Sequence, residues 1–395
     1  MTKLSFNLKT ELEEELKNIL QYWKDNSVDE VHGGFLGKRD FFNVEVPKAH
    51  KGAILNTRLL WTFSAIANFQ KDDACRKLAQ RAYEYLKDFF LDEKYQGIFW
   101  ELDYQGKPVN KRKQIYAQAF AIYALTEYYK LTQDKEALKW ANSLFLLIEK
   151  HARDWEKNGY LEAFQENWSA IEDMRLSEKD ANSAKTMNTH LHILEAYTNL
   201  YIVSEDASVK EALINLIELF LEKFLDAETK HFQLFFNTDW KRANDIISYG
   251  HDIEAVWLII EACKAVGSKS LLEIAEIVAV EVANVFLQEA YVETAGVINE
   301  KDVEKGILDE DRHWWPQVEA MVGLDYAFKI SGEDQFLRAK KDIWNYTRTY
   351  LKDEKNGEWH FRVDRDNKPY ENEDKLSMWK APYHNSRACM MLLKK

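Results

Sequence analysis

His251 and Glu254 stand three residues apart in Ser248-Tyr249-Gly250-His251-Asp252-Ile253-Glu254-Ala255-Val256-Trp257-Leu258. That spacing puts an imidazole and a carboxylate on one face of a helix. The run continues through Ile259, Ile260 and Ala262 and is apolar nearly all round, which predicts a buried helix with the pair at its N-terminus. Titratable groups in such a place are costly unless they are paired or used. His190, His192 and His384 also fall at predicted helix starts, whereas His151, His231 and His360 do not. This shared register favours one site over a set of unrelated core histidines. His190 and His192 are separated by about 200° of helical turn, so both cannot face that site, and His190 is assigned a structural role. Arg58 lies inside the apolar run Ile54-Leu55-Asn56-Thr57-Arg58-Leu59-Leu60-Trp61 and needs a partner, a buried carboxylate being the plain solution. An imidazole near pKa 6.5 suits proton abstraction and return close to neutral pH.

The elements that must position these groups repeat. A short turn or hairpin, a polar loop and then a very apolar helix recur with anchors at Arg58, Tyr116, His190, His251, Trp315 and His384. Between them run amphipathic helices with Lys and Glu on one side, over 74–90, 135–151, 209–225, 271–287 and 335–351, and a first helix covers 8–23. Helix pairs in series must stack to bury their faces. Six pairs of alternating character predict an all-α, closed (α/α)6 barrel, with apolar inner helices, charged outer ones and short β-hairpins or loops at one mouth. The whole chain, 1–395, is expected to form this one catalytic domain. A linear solenoid is the alternative. In a ring, the N-terminal ends of all six inner helices meet at one mouth, and His251 and His384 lie two units apart, able to flank a ligand on the axis.

Composition narrows the partners. The 395 residues carry a formal net charge of −13 with no basic cluster, so nucleic acid is not an expected partner. No apolar run approaches the roughly 20 residues of a membrane span, and the N-terminus lacks a signal-peptide apolar region, so a cytoplasmic protein is expected. Cys75, Cys263 and Cys389 are widely spaced in helical patterns and read as reduced core thiols. His190 and His192 cannot face one ion from a regular helix, no His-Glu-x-x-His pattern occurs and no Gly-rich phosphate loop is present, so neither metal nor nucleotide is expected. The 13 Trp, 19 Tyr and 21 Phe suit sugar stacking as well as helix packing.

Five stretches together resemble the N-acylglucosamine 2-epimerase superfamily, and within it the branch of cellobiose 2-epimerases. They are Lys51-Gly52-Ala53-Ile54-Leu55-Asn56-Thr57-Arg58-Leu59-Leu60-Trp61, Met187-Asn188-Thr189-His190-Leu191-His192-Ile193-Leu194-Glu195-Ala196-Tyr197, Gly250-His251-Asp252-Ile253-Glu254-Ala255, His313-Trp314-Trp315-Pro316-Gln317-Val318-Glu319-Ala320 and Trp379-Lys380-Ala381-Pro382-Tyr383-His384-Asn385. The resemblance implies cofactor-independent, reversible inversion at C2 of the reducing-end sugar of a β-1,4-linked disaccharide, through deprotonation to an enediol and reprotonation from the opposite side. It implies His251 and His384 as the acid/base pair, His192 at the C1 oxygen or in ring opening, and Arg58 as donor to the enediolate oxygen. Glu254 then orients a catalytic histidine or pairs with Arg58. Asn188 and Glu319 are expected as hydrogen-bonding substrate contacts, Tyr116, Trp315 and Trp379 as sugar contacts, and Asp180 as a loop carboxylate over the mouth. A monomer is expected, with a dimer as the alternative.

Other readings stay open at this point. An aldose–ketose isomerase, or an epimerase of monosaccharides or N-acylglucosamine, would use the same scaffold. A glycoside hydrolase would recruit Glu254, Glu319 and Asp180 as its carboxylates but leave the histidine register unexplained. A non-enzymatic sugar-binding module would have no need of three histidines at the mouth.

Overall fold

A computed structural model describes residues 3–178 and 180–394. Six helices are apolar all round and line the centre: α2 (Ala53–Gln70), α4 (Ile115–Thr132), α6 (Met187–Ser204), α8 (Tyr249–Val266), α10 (Trp314–Ser331) and α12 (Tyr383–Leu393). Each packs on the next, and α12 packs back on α2, closing the ring. Outside them stand the amphipathic α1 (Lys3–Asn26), α3 (Asp73–Tyr85), α5 (Lys135–His151), α7 (Ala207–Leu219), α9 (Lys269–Glu289) and α11 (Asp334–Tyr346). The outer helix α1 covers α12, so the first and last helices make the sixth pair. The expected (α/α)6 barrel is therefore what forms, and the solenoid is not.

Local sequence explains the two ends. Each inner helix but the last closes on one left-handed residue, Lys71, Gln133, Glu205, Gly267 or Gly332, with φ between 52° and 73°. The residue after it starts the outer helix, and Asp72, Asp134, Asp206 and Ser268 accept backbone N–H groups there as N-caps. The return path is longer. Outer helices α3, α7 and α11 end in a wider, π-type turn (Leu86–Phe90, Phe220–Phe224, Thr347–Leu351), after which an Asp such as Asp92, Asp226 or Asp353 folds a tight turn on its own carboxylate. The two residues entering an inner helix then pair with the next unit's hairpin: Lys51 with Leu102, Lys113 with Phe164, Lys185 with Phe236, Ile247 with Lys301 and Arg312 with Val363. A bridge from Arg39 to Leu376 completes the circle. These small antiparallel ladders, with the short hairpin pairings of 101–110, 291–297 and 300–309, gird one mouth.

Cys75, Cys263 and Cys389 are free and buried in this core, where burial pushes the thiols of Cys75 and Cys263 up to about 12. Among the described residues no helix is long and apolar enough to cross a membrane.

Candidate active site

One repeated device sets the register of the inner helices. Near the start of α4, Gln118 takes the N–H of Ile98 on its Oε1 (2.8 Å) and gives its Nε2–H to the carbonyl of the same residue (2.9 Å). Gln317 in α10 treats Val297 alike, at 2.9 and 2.8 Å. His190 Nε2 accepts from the Tyr160 N–H at 2.8 Å while its Nδ1 bonds the Thr186 carbonyl, and an Asp252 oxygen accepts from the Phe232 N–H at 2.8 Å. Each side chain clasps the hairpin outside its helix. A residue two places further on has turned about 200° and faces the barrel axis. Those residues are Phe120, His192, Glu254 and Glu319, and the same step from Asn56 and Asn385 gives Arg58 and Arg387. His190 thus serves the hairpin and His192 the centre, as the sequence separated them. His251 and His384 precede their clasp-position residues, Asp252 and Asn385, by one, and so share a register of their own.

On the axis sits an ionic hub around Arg387, 3% exposed. Its guanidinium donates to Glu254 Oε1 at 2.6 Å, to Glu319 Oε1 at 2.7 Å, and to Glu195 Oε1 and the Tyr383 hydroxyl. Glu319 Oε1 is also 2.7 Å from His384 Nδ1, and its Oε2 accepts from Trp257 Nε1 at 3.1 Å. Glu195 Oε2 is 3.0 Å from His192 Nδ1 and accepts from Tyr383 at 2.6 Å. One arginine thereby holds the carboxylates that orient two histidines. Burial is the largest influence on Glu195 and would raise it, but Arg387 and His192 overcome that and bring it down to about 2. Burial and the neighbouring Glu319 push Glu254 up to about 8. Raising Glu254 favours its neutral form, which limits the repulsion among three carboxylates sharing one cation.

Several expectations change at this point. Glu254 neither pairs with Arg58 nor bonds His251: it lies on Arg387, with its Oε1 3.9 Å from His384 Nδ1. His251 Nδ1 is instead 2.7 Å from Ser248 Oγ. Glu319, expected at the sugar, stands behind His384 and is fully buried. Arg58 has no ion pair among the described residues. It donates to the Tyr116 hydroxyl (3.0 Å) and the Trp379 carbonyl (3.4 Å), lies over the Phe120 ring at 4.6 Å, and keeps an unpaired Nε. Asp180 reaches the mouth but is committed to its own loop, accepting from the N–H and hydroxyl of Ser177 at 2.9 Å each. Glu195, Arg387 and Tyr383 were given no role in the sequence reading. The signals were there: Glu195 is three residues after His192, and Arg387 repeats the step from Asn56 to Arg58.

The remaining groups gather around two joined spaces. An inner chamber of about 170 Å³ is lined by Arg58, Tyr116, His192, Glu254, Trp379 and His384, among others, and a mouth cleft of about 350 Å³ lies above it. Asn188, His251 and Trp315 border both, and Asn188 Oδ1 is buried without a partner. The Trp315 ring is 4.8 Å from that of His251 and 5.5 Å from that of His384, so one indole packs on both imidazoles. Gly250 makes room for it: a Cβ there would come within 2.5 Å of Trp315 Cη2. Gly250→Ala is expected to displace the indole and lower kcat/KM by about 10²-fold, the effect of a misplacement near 1 Å, with the thermal midpoint little changed. Steady-state kinetics beside a melting curve check this.

Burial dominates the histidine equilibria. It brings His251 and His190 down to about 3, and it holds His192 low and His384 well below the usual imidazole value, aided at His384 by Arg58 and Arg387. His190 and His251 stay neutral in the fold where the unfolded chain would take up a proton. The stability linked to them is thus full above pH 6.5 and lost as pH falls toward 3. The thermal midpoint should decline across that window, and a flat profile from 6.5 to 4 would contradict it. Glu254, Glu319 and His384 bring ligand atoms within 4.8 Å of one another, close enough for one cation, but the Arg387 guanidinium already occupies the position between the two carboxylates.

The N-acylglucosamine 2-epimerase family model matches residues 43–388. The chain belongs to that family. A cellobiose 2-epimerase of Bacteroides fragilis is 46% identical over 98% of both chains, and one of Dictyoglomus turgidum is 38% identical over 98% of both. The solved cellobiose 2-epimerase of Bacillus thermoamylovorans superposes with a TM-score of 0.93 at 39% identity, covering 98% of this chain and 99% of that one. The family is one of carbohydrate epimerases, so the chain is an isomerase-class enzyme.

Proposed function

We propose that the enzyme inverts C2 of the reducing-end sugar of β-1,4-linked disaccharides, interconverting cellobiose with 4-O-β-glucosyl-mannose and lactose with epilactose. The observation that carries this is the pair His251 and His384, on helices two units apart, both packed on Trp315 and both opening into one buried chamber. The reducing sugar occupies the chamber and the second sugar the mouth cleft. His192, with Nδ1 on Glu195, keeps Nε2 for ring opening at the C1 oxygen. One histidine of the pair removes the C2 proton on its Nε2, the enediolate oxygen is met by Arg58, and the other histidine, entering as an imidazolium, returns the proton on its Nε2 to the opposite face; each ring then exchanges one proton with solvent, so atoms and charge balance over the cycle. With Nδ1 directed to Ser248 and to Glu319 respectively, each ring keeps Nε2 for the substrate, bare in the ring that acts as base and protonated in the ring that acts as acid. Glu319 makes an imidazolium at His384 tolerable when it forms. The unpaired Asn188 Oδ1 and Arg58 Nε supply an acceptor and a donor for sugar hydroxyls.

A hydrolase would need two carboxylates across a glycosidic bond. Glu254 and Glu319 instead meet on one Arg387 nitrogen, which argues against that role. Proton NMR of cellobiose in D2O with enzyme and chelator tests the proposal. Glucosyl-mannose carrying deuterium at C2 is expected. Free glucose would make the enzyme a hydrolase, and a ketose product would make it an aldose–ketose isomerase.

A further inference from the structure

A cavity of about 530 Å³ opens at the far end of the barrel, among the C-terminal halves of α2, α4, α6, α8 and α12. Its floor is the back of the hub, since Glu195 and Arg387 line it. Its walls combine rings with hydrogen-bonding groups: Trp61, Tyr123 and Trp257 beside Asn68, Thr198 and Asn199. Trp61 is only 5% exposed, yet its Nε1–H has no acceptor among the described residues. A buried donor without a partner marks a place where a ligand or water belongs. The charged lining balances, with Glu127, Glu195 and Glu261 against Lys130, Arg387 and Lys394, and Lys130 is already bonded to Glu127 and Asn199. Neither an anion nor a cation is therefore preferred. Rings for C–H faces, amides and carboxylates for hydroxyls and no net charge are what a neutral sugar requires.

We infer that this rear cavity is a second saccharide-binding site, separate from the catalytic chamber. It touches the chemistry from behind. Trp257 in its wall donates to Glu319, and Glu319 holds His384. Occupancy of the rear site thus bears on the orientation of a histidine in the chamber without blocking the mouth.

Equilibrium dialysis against cellobiose, left to reach its own epimer equilibrium, counts the sites. Two sugars per chain are expected for the wild type, and one for Thr198→Trp and for Ala65→Phe, each of which fills the rear cavity. Melting curves confirm that these variants are folded, and two substitutions guard against one that is not. Trp315→Ala, at the mouth, should keep the rear sugar. A single wild-type site that Trp315→Ala abolishes, or a count that neither rear substitution lowers, would overturn the inference. A single site lost in Thr198→Trp but kept in Trp315→Ala would instead uphold the rear site and count against the catalytic reading.

Discussion

His251→Ala and His384→Ala should each lose turnover by a factor on the order of 10²–10⁴, the range for a positioned acid or base, while remaining folded. Neither ring carries fold energy as His190 does, with both nitrogens bonded to backbone. His251 relies on one serine hydroxyl, and His384 on a carboxylate that Arg387 and Trp257 hold in any case. The two losses should also differ in kind. The variant that keeps the base facing the C2 proton of cellobiose can still exchange it with solvent while failing to invert, so deuterium should enter cellobiose faster than the epimer appears, whereas the other variant should exchange that proton no faster than it inverts. Proton NMR in D2O reads both at once. Wild-type epimerisation by either variant would remove the pair from the mechanism.

Arg387→Met has the largest expected effect on stability. The substitution leaves Glu195, Glu254 and Glu319 buried without their shared cation, and breaking a buried pair in this way costs about 3–5 kcal/mol. The pH dependence carried by Glu195 should change sign as well. In the wild type, Glu195 is held near 2, below the ordinary carboxylate value of 4.5, so its contribution is present above 4.5 and fades as pH falls toward 2. Without Arg387, burial raises Glu195 above 4.5, as it already raises Glu254 and Glu319 in the wild type. The variant then has its full stability below 4.5 and loses it as pH rises. Denaturant unfolding at pH 4 and pH 8 separates the cases: the variant should be closer to wild type at pH 4, and a uniform deficit would show that the hub carboxylates are not what Arg387 balances.

Much of this architecture could be read before any coordinates, and what escaped has a physical reason. The barrel follows from helices apolar all round alternating with helices apolar on one side, a contrast visible in every pair. The separation of His190 from His192 follows from helical geometry alone. The pairings did not follow. Glu254 and His251 share a helix face at one-turn spacing, yet they do not pair: the ring brings Arg387 of α12 to 2.6 Å from Glu254, while His251 bonds Ser248, the N-cap residue of its own helix. Arg387 lay in the last helix, past the residues that carried the family likeness. The anchors were also placed in mixed register: Tyr116 and Trp315 sit two before the clasp residue of their helix, His190 is a clasp residue, and Arg58 lies two beyond. The clasp itself could be found only once hairpins were in view, since Gln118 and Gln317 share their task with His190 and Asp252, whose side chains have a different chemistry.

The barrel is a bracelet with six seams, and only five are closed by chain. Links of one left-handed residue and one cap bind each inner helix to its outer companion, but α12 and α1 have no such link between them. α1 is held instead by side chains to the elements before α12: Trp23 and Trp359 donate to Glu358 and Glu15, Trp344 of α11 donates to Glu11, and Asn385 of α12 donates to the same Glu358 Oε1 as Trp23. Three indole N–H groups fasten what a peptide bond fastens elsewhere. Under heat or tension the bracelet should open there, letting α1 peel away while five covalently tied pairs still stand, and Arg387, carried by α12, would be the first part of the hub to loosen.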